Sequence, residues 1–190
     1  ASDSDSLLVN ASHLTSVMLK EINNADDFFN FVKEKKINTL IIGPGCGINL
    51  ITKELVIRAI KSEISFVLDA DGLTLFQKNP NELFDLLNKR RKRENIILTP
   101  HEGEFNRLFD FGKISKIDKA NRAADITKST ILFKGNDTII SSPKKISLIT
   151  KDSSSFLATA GSGDVLSGIC GSFLGQGMKS HYAAAAASWI

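Results

Sequence analysis

A glycine-rich turn that runs into an acid and then into an apolar helix is the most chemically suggestive stretch of the sequence. Gly161, Ser162 and Gly163 precede Asp164, and the residues that follow predict a helix over 165–176. Small residues let backbone N–H groups converge at a helix N-terminus, where the helix dipole favours an anion. A carboxylate there can take a proton from a hydroxyl group beside that anion. The combination suits phosphoryl transfer to an alcohol, while a plain turn capped by Asp164 is an equally simple interpretation.

The whole chain has the composition of one globular domain. Its 190 residues are 42% hydrophobic and 24% charged, which is enough to bury a substantial core. The formal charge of +3 favours neither nucleic acid nor a membrane surface, and no apolar stretch is long enough to span a bilayer. Cys46 and Cys170 form no CxxC pair, and the three histidines lack metal-ligand spacing. We therefore expect a single domain over residues 1–190 in the reducing cytoplasm, with no nucleic-acid or membrane partner.

Apolar runs that alternate with helical patterns predict a parallel sheet covered on both faces. Four such runs predict buried strands, at Thr39–Ile42, Ser65–Leu68, Ile96–Leu98 and 130–134. Two later runs, 138–140 and 146–149, flank a Ser-Ser-Pro-Lys-Lys turn and predict an antiparallel hairpin. The expected fold class is α/β, with three layers: a mostly parallel central sheet, helices on both faces and a short antiparallel hairpin late in the chain.

Helical patterns fill the intervals between these strands. Asn24 is placed to cap a helix whose first turn holds two aspartates. Further spacing predicts helices over 49–62, 81–89, 118–128 and 182–190. In the first of these, the residues expected to face inward are Ile51, Leu55, Ala59 and Ile60. At the N-terminus, residues 7–9 predict a short strand or an apolar anchor.

Polar or glycine-rich stretches follow the carboxyl end of each predicted parallel strand, the edge where open α/β sheets bind their ligands. In the first stretch, Gly45 and Gly47 allow a backbone to approach a large ligand closely. In the second, Asp69 and Asp71 can orient hydroxyl groups or hold the water shell of a cation, or one of them can cap the next helix.

The third and fourth stretches add charged groups to the same edge. Glu104, in a turn led by Pro100, could hold Mg²⁺ through water, and His101 could hydrogen-bond a substrate. An ordinary surface histidine is the alternative. Lys134 ends a strand before a glycine turn, where it can meet a nucleotide phosphate, although a lysine at a sheet edge is as often merely solvated.

Five stretches occur in the order found in the ADP/ATP-dependent NAD(P)H-hydrate dehydratases, members of the ribokinase-like superfamily, and the chain resembles that family. They lie at 43–47, 68–73, 98–104, 134–138 and 159–168. The resemblance implies an enzyme that restores NADH and NADPH from hydrated forms carrying a hydroxyl on the nicotinamide ring. Such an enzyme uses ADP or ATP as phosphoryl donor, together with Mg²⁺. The hydroxyl would be phosphorylated, and phosphate would then be eliminated.

The resemblance also implies a role for each stretch. Asp164 would be the base on the hydroxyl. The anion hole would consist of Gly161, Ser162 and Gly163. The nucleotide site would consist of Lys134, Gly135, Asn136, Asp137, Thr138 and Gly163, and the substrate site of Gly45, Gly47, Asp71, His101 and Asp164. Glu104 would contact Mg²⁺ through water.

Family domains begin with a further strand, a glycine-rich turn and an alanine-rich helix, and nothing before Ala1 corresponds to these elements. They also continue beyond the last helix. The resemblance therefore implies a partial domain, shortened at its N-terminus, with C-terminal shortening as a second expectation. It further implies a homo-oligomer and an epimerase partner. Two alternatives remain: a ribokinase-like kinase of a small hydroxymethyl vitamin precursor, against which His101 argues, and a non-catalytic nucleotide-binding domain.

Overall fold

The computed structural model describes residues 4–91, 95–151 and 155–190. The chain forms two compact units, residues 1–38 and residues 39–190. The expectation of a single domain over 1–190 stays a prediction. The first unit contains helices α1 (Ser4–His13) and α2 (Ala25–Glu34). Asn24 caps α2 as expected, because its side-chain oxygen accepts from the N–H of Asp27 at 2.9 Å.

The short strand considered at residues 7–9 is wrong, because these residues lie inside α1. A strand needs a neighbouring strand to satisfy its N–H and C=O groups, whereas a helix satisfies them within itself. The apolar side chains that suggested a strand remain on the surface: Leu8 is 80% exposed and Val9 is 62% exposed.

The second unit is built on a six-stranded sheet in the order β1-β2-β3-β4-β5-β6. Its strands are β1 (Thr39–Ile42), β2 (Ser65–Leu68), β3 (Ile96–Leu98), β4 (Thr130–Phe133), β5 (Thr138–Ser141) and β6 (Leu148–Thr150). The first four strands run parallel, and β4–β5 and β5–β6 pair antiparallel. The mostly parallel sheet and the late hairpin are thus confirmed. The β4–β5 pairing is also antiparallel because the turn between these strands is too short for a parallel crossover.

The helices of this unit are α3 (Leu50–Lys61), α4 (Ala70–Thr74), α5 (Pro80–Lys89), α6 (Glu102–Leu108), α7 (Lys116–Thr127), α8 (Ser162–Gly175) and α9 (Ser180–Trp189). The short helices α4 and α6 lie where we expected only loops. At five and seven residues they are too short to show a helical hydrophobic period. Within the three described ranges, no helix has the length and apolar character that crossing a membrane requires.

The sheet lies between two helix layers. Val67, Ile97, Leu132 and Ile140 pack against α8 and against the alanine run of α9, where Ala183, Ala184 and Ala187 are buried. Alternate residues such as Phe66 and Leu68 point to the other face and are also fully buried. Helices α3 and α7 connect parallel strands, so right-handed crossovers place them on that second face.

Helix α3 buries part of the stripe that we expected, since Ala59 and Ile60 are fully buried and confirm that part of the prediction. Ile51 is 47% exposed, so its assignment to the core is wrong, and Leu55 is only half-buried. Thr52 and Val56 are buried instead. The hydroxyl of Thr52 donates to the carbonyl of Cys46 at 2.8 Å, which satisfies this polar group inside the core.

A buried arginine joins the end of α3 to the start of β2. Arg90 is 3% exposed and donates to the carbonyls of Ala59 at 3.0 Å, Ile60 at 2.8 Å and Ile64 at 2.6 Å. Its position thereby fixes where β2 begins.

We predict that Arg90→Ala lowers the free energy of unfolding by about 3 kcal/mol, because buried carbonyls lose a charged donor. Urea titration followed by circular dichroism measures this change. The control is Arg91→Ala, which truncates the exposed neighbour and is expected to change stability by less than about 0.5 kcal/mol. Equal losses from both variants would contradict a structural role for Arg90.

Candidate active site

The loops singled out in the sequence lie along one edge of the sheet. Because β1 to β4 are parallel, their carboxyl ends meet there. The N-terminus of α8 reaches the same edge, since a Cβ built on Gly163 would lie 3.4 Å from Nζ of Lys134. The glycine turn before α8 therefore stands beside the end of β4.

A buried carboxylate ties this edge together. Asp69, 1% exposed, accepts from Nζ of Lys134 at 2.8 Å through Oδ1 and from the hydroxyl of Ser167 at 2.5 Å through Oδ2. Oδ1 also accepts from the N–H of Ala70 at 2.8 Å, so Asp69 caps α4 as well. One side chain thus links the loop after β2, the end of β4 and the first turns of α8.

The loop after β3 joins the same network. The N–H of Lys134 donates to the carbonyl of Pro100 at 2.9 Å, and the N–H of Thr99 donates to the carbonyl of Leu68 at 3.1 Å. The hydroxyl of Thr99 lies 3.5 Å from that of Ser167. The backbone around Pro100 is therefore held between β2 and β4.

The loops after β1 and β2 pack backbone against backbone. Gly43 has φ +133°, and a Cβ there would lie 1.7 Å from the carbonyl oxygen of Asp69. A few residues on, the N–H of Gly47 donates to Oδ2 of Asp71 at 2.9 Å. The structure thus brings together two residues of the predicted substrate site and orients the Asp71 carboxylate. Gly45 has φ +63° and open space around it.

His101 and Glu104 form a reciprocal cap at the start of α6. Nδ1 of His101 accepts from the N–H groups of Gly103 at 3.0 Å and Glu104 at 3.3 Å, while Oε2 of Glu104 accepts from the N–H of His101 at 2.9 Å. Because Nδ1 accepts, the neutral ring carries its proton on Nε2, which lies 3.4 Å from Oε1 of Glu104. The His101 side chain remains 54% exposed, so substrate contact stays a prediction beside this structural role.

Lys116 holds the turn between β4 and β5, and nothing in the local sequence pattern points to it. Its Nζ donates to the carbonyl of Asp137 at 2.5 Å and lies 4.9 Å from the ring centroid of Phe133. A Cβ on Gly135 would fall 2.3 Å from this Nζ, so the lysine occupies the space that Gly135 leaves open. Thr138 closes the turn by donating to the carbonyl of Gly135 at 3.2 Å. Three of the five residues of the predicted nucleotide loop, Gly135, Asp137 and Thr138, thus take part in this turn. Lys134 pairs with Asp69 instead, and Asn136 is exposed.

The turn before α8 leaves backbone donors open. Gly161 has φ +88°, and both the N–H and the hydroxyl of Ser162 turn back to the carbonyl of Thr159, at 3.3 Å and 2.9 Å. Within the described ranges, the N–H groups of Gly161, Gly163 and Asp164 meet no acceptor. The exposed Asp164 carboxylate also makes no hydrogen bond or ion pair there. The donors available to an anion are therefore those of Gly161, Gly163 and Asp164, while that of Ser162 is engaged.

The donor set at this edge suits a nucleotide-borne Mg²⁺. Nowhere in the described part of the chain do three or more His, Cys, Asp or Glu side chains converge as a metal cage. Mg²⁺ commonly keeps several waters and binds through substrate phosphates and one or two carboxylates, so it needs no such cage. Among the described residues, Oε1 of Glu104 has only the His101 ring as a neighbouring partner, at 3.4 Å, and it keeps capacity to accept from a metal-bound water although the side chain is only 7% exposed.

Comparison with known proteins identifies the family. Residues 1–190 match the family profile described as NAD(P)H-hydrate dehydratase. The chain belongs to the NAD(P)H-hydrate dehydratase family. This membership confirms the resemblance drawn from the five stretches, and it favours the dehydratase interpretation over the vitamin-precursor kinase.

Named relatives are also described as enzymes that act on NAD(P)H-hydrate. The chain is 35% identical over 151 residues to the bifunctional NAD(P)H-hydrate repair enzyme Nnr of Mycobacterium tuberculosis, covering 79% of the chain and 31% of that protein. It is 33% identical over 169 residues to the ADP-dependent (S)-NAD(P)H-hydrate dehydratase of Neisseria meningitidis, covering 85% of the chain and 55% of that protein. The chain thus spans between a third and about half of the length of these relatives.

Solved structures confirm the ribokinase-like fold. A ribokinase-like superfamily protein of Enterococcus faecalis superposes with a TM-score of 0.70 at 21% identity, over 89% of this chain and 58% of that one. The ADP/ATP-dependent NAD(P)H-hydrate dehydratase of Bacillus subtilis, crystallised with ATP and Mg²⁺ and soaked with coenzyme A, superposes with a TM-score of 0.63 at 25% identity. The match covers 79% of this chain and 53% of that one.

Gly43 offers a direct test of how the dehydratase-family loops are held. We predict that Gly43→Ala lowers the free energy of unfolding by about 3 kcal/mol, because its Cβ would overlap the Asp69 carbonyl. Gly45→Ala is the matched control in the same loop. It meets no neighbour, and we expect it to cost only about 1 kcal/mol for its left-handed backbone. Urea titration compares the two, and a Gly43→Ala loss no larger than the control's would show that this loop contact is not tight.

Proposed function

We propose that this chain restores NADH and NADPH from their hydrated forms, using ADP or ATP as phosphoryl donor. The carrying observation is the α8 N-terminus, where the Asp164 carboxylate and nearby backbone N–H groups have no partner among the described residues and stand beside the ammonium group of Lys134. The family match and the relatives' descriptions support the same reaction. Because the chain spans only part of those relatives, its own activity is the point to test.

In this proposal Asp164 takes the proton of the ring hydroxyl. The hydroxyl oxygen then bonds to the terminal phosphorus of the nucleotide, and the bond from that phosphorus to its bridging oxygen breaks. Inorganic phosphate leaves with the electron pair of the C–O bond, and the neighbouring ring carbon loses a proton to form the double bond. Hydrated NADH and ADP therefore yield NADH, AMP and inorganic phosphate.

The open N–H groups of Gly161, Gly163 and Asp164 would receive the negative charge that develops on the transferring group. Lys134 would add positive charge at the same place, shared with Asp69. The turn held by Lys116, residues 134–138, would take the rest of the nucleotide. Gly45, Gly47, Asp71 and His101 would contact the hydrated dinucleotide.

Mg²⁺ bound to the nucleotide phosphates would neutralise their charge, with Glu104 touching one of its waters. The two free cysteines support a reducing compartment, which we propose is the cytoplasm. For Cys170, burial foremost and then the nearby Asp69 charge raise the thiol pKa to about 12, so this thiol is inert at neutral pH. We also propose a homo-oligomer and an epimerase partner, the latter supported by the description of the M. tuberculosis relative as bifunctional.

Asp164→Asn tests the proposed base. With hydrated NADH, Mg²⁺ and ADP or ATP, we expect the wild-type chain to restore the near-ultraviolet absorbance band of NADH. The variant should lose about 10²–10⁴-fold in rate, because the amide cannot accept the proton. Nucleotide binding, measured by calorimetry, should persist. Asp85→Asn, which neutralises an exposed carboxylate on α5, is the matched control and should leave the rate unchanged.

Several outcomes would overturn the proposal. An Asp164→Asn rate equal to that of Asp85→Asn would remove Asp164 from the chemistry. A phosphorylated vitamin precursor accumulating in place of NADH would establish the kinase alternative. Nucleotide binding without turnover, both by this chain and by a longer protein carrying the upstream region, would establish the non-catalytic alternative.

A further inference from the structure

A basic groove lies at the edge of the sheet opposite the active site. The groove has a volume of about 440 Å³, and its lining residues are Asp125, Lys128, Ser129, Thr130, Ser142, Pro143, Lys144, Lys145, Lys179, Ser180, His181 and Tyr182. Thr130 begins β4, so the groove sits at the amino end of this parallel strand, away from the loops that follow the carboxyl ends. It is therefore separate from the site built around Asp164.

The charge of the basic groove is strongly one-sided. Its lining includes four lysines and only one carboxylate, that of Asp125. In the described part of the chain, Lys128, Lys144 and Lys145 form no ion pair. A concave surface with unneutralised charge of one sign attracts small ions of the opposite sign.

The wall of the groove is a built polar network. The Thr130 hydroxyl lies 2.7 Å from both the Ser142 and the Ser180 hydroxyls, and the Ser142 hydroxyl lies 2.9 Å from Nδ1 of His181. His181 is only 7% exposed, and its Nε2 has no partner among the described residues. When Ser142 donates to Nδ1, Nε2 carries the proton and is left to donate into the groove.

The surroundings of His181 favour the neutral form of its imidazole. Burial foremost, and then the positive charge of Lys145, lower the pKa of His181 below its ordinary value. At the start of α9, the N–H groups of Ser180 and His181 meet no acceptor within the described ranges. An anion here would therefore meet two backbone donors, a ring N–H and several ammonium groups.

We propose that the basic groove binds a phosphate-bearing small molecule, the size of a sugar phosphate. The phosphate lies against the N–H groups of Ser180 and His181, with Lys145 beside it. The volume of the groove falls within the range of small-molecule sites. An adjoining hollow of about 520 Å³ shares Asp125, Ser142, Lys144 and Lys145 with the groove and has room for the rest of the ligand.

Binding of ribose 5-phosphate, with ribose as the uncharged comparison, tests this site on the full chain. Heteronuclear NMR titration should shift the backbone amide signals of Ser180 and His181 with ribose 5-phosphate and leave them unmoved with ribose. Lys145→Ala should weaken this binding about tenfold, and Lys145→Arg should restore it. Lys145 is exposed, so neither variant should disturb folding. Lys61→Ala, an exposed lysine at the end of α3, is the matched control and should leave binding unchanged.

Three results would overturn the proposal. One is the absence of shifts at Ser180 and His181. Another is an equal loss from Lys61→Ala and Lys145→Ala, which would show only non-specific charge attraction. The third is a shift confined to Gly163 and Asp164, which would place the phosphate at the active site. None of these results bears on the dehydration assay, so this site and the proposed function fail or stand separately.

Discussion

The structure depends on one buried ion pair, between Asp69 and Lys134. A carboxylate that is 1% exposed must be paired and hydrogen-bonded, and here Lys134 and Ser167 supply both requirements. Because Ser167 belongs to α8, its bond to Asp69 fixes the position of α8 relative to the ends of β2 and β4. The ion pair also holds Nζ of Lys134 at 3.4 Å from the position that a Cβ on Gly163 would occupy. Removing Lys134 would leave the buried Asp69 carboxylate without its counter-charge, at a cost of about 3–5 kcal/mol.

Each of the two edges of the sheet carries one candidate binding site. The carboxyl edge carries the loops that we propose hold the nucleotide and the hydroxyl substrate, with glycines where backbones meet at Gly43 and where Lys116 fills the space beside Gly135. The opposite edge carries the basic groove, whose polar wall continues into α9. Helix α8 runs from one edge toward the other and α9 follows it after a short turn, so both sites rest on one helix pair packed on the same sheet face.

The sequence patterns predicted the positions of the parallel strands well, because strands covered on both faces are apolar throughout and end in glycine or polar residues. The burial predicted for β1 holds only on one face, since Ile41 is 42% exposed. The same patterns failed where the local structure is fixed by hydrogen bonds and not by the spacing of apolar residues. Thr52 lies in the core because its hydroxyl donates to the carbonyl oxygen of Cys46. Asp69 and His101 cap α4 and α6, and these helices are too short to show a helical spacing of apolar residues. At the site, the position of Lys134 followed from the end of its predicted strand, and Asp164 was singled out by the glycine-rich turn before its predicted helix. The bond from Ser167 to Asp69 spans 98 residues, and no local pattern records it.

The central claim is that the substrate hydroxyl itself becomes phosphorylated at the α8 N-terminus and leaves as part of the phosphate. Hydrated NADH labelled with heavy oxygen in its ring hydroxyl tests this most directly, with the phosphate released during turnover examined by phosphorus NMR. If Asp164 activates the hydroxyl toward the nucleotide, the label appears in inorganic phosphate, one heavy oxygen for each NADH restored. If the label appears in water instead, the C–O bond breaks without phosphoryl transfer, and the proposed role of this turn is wrong.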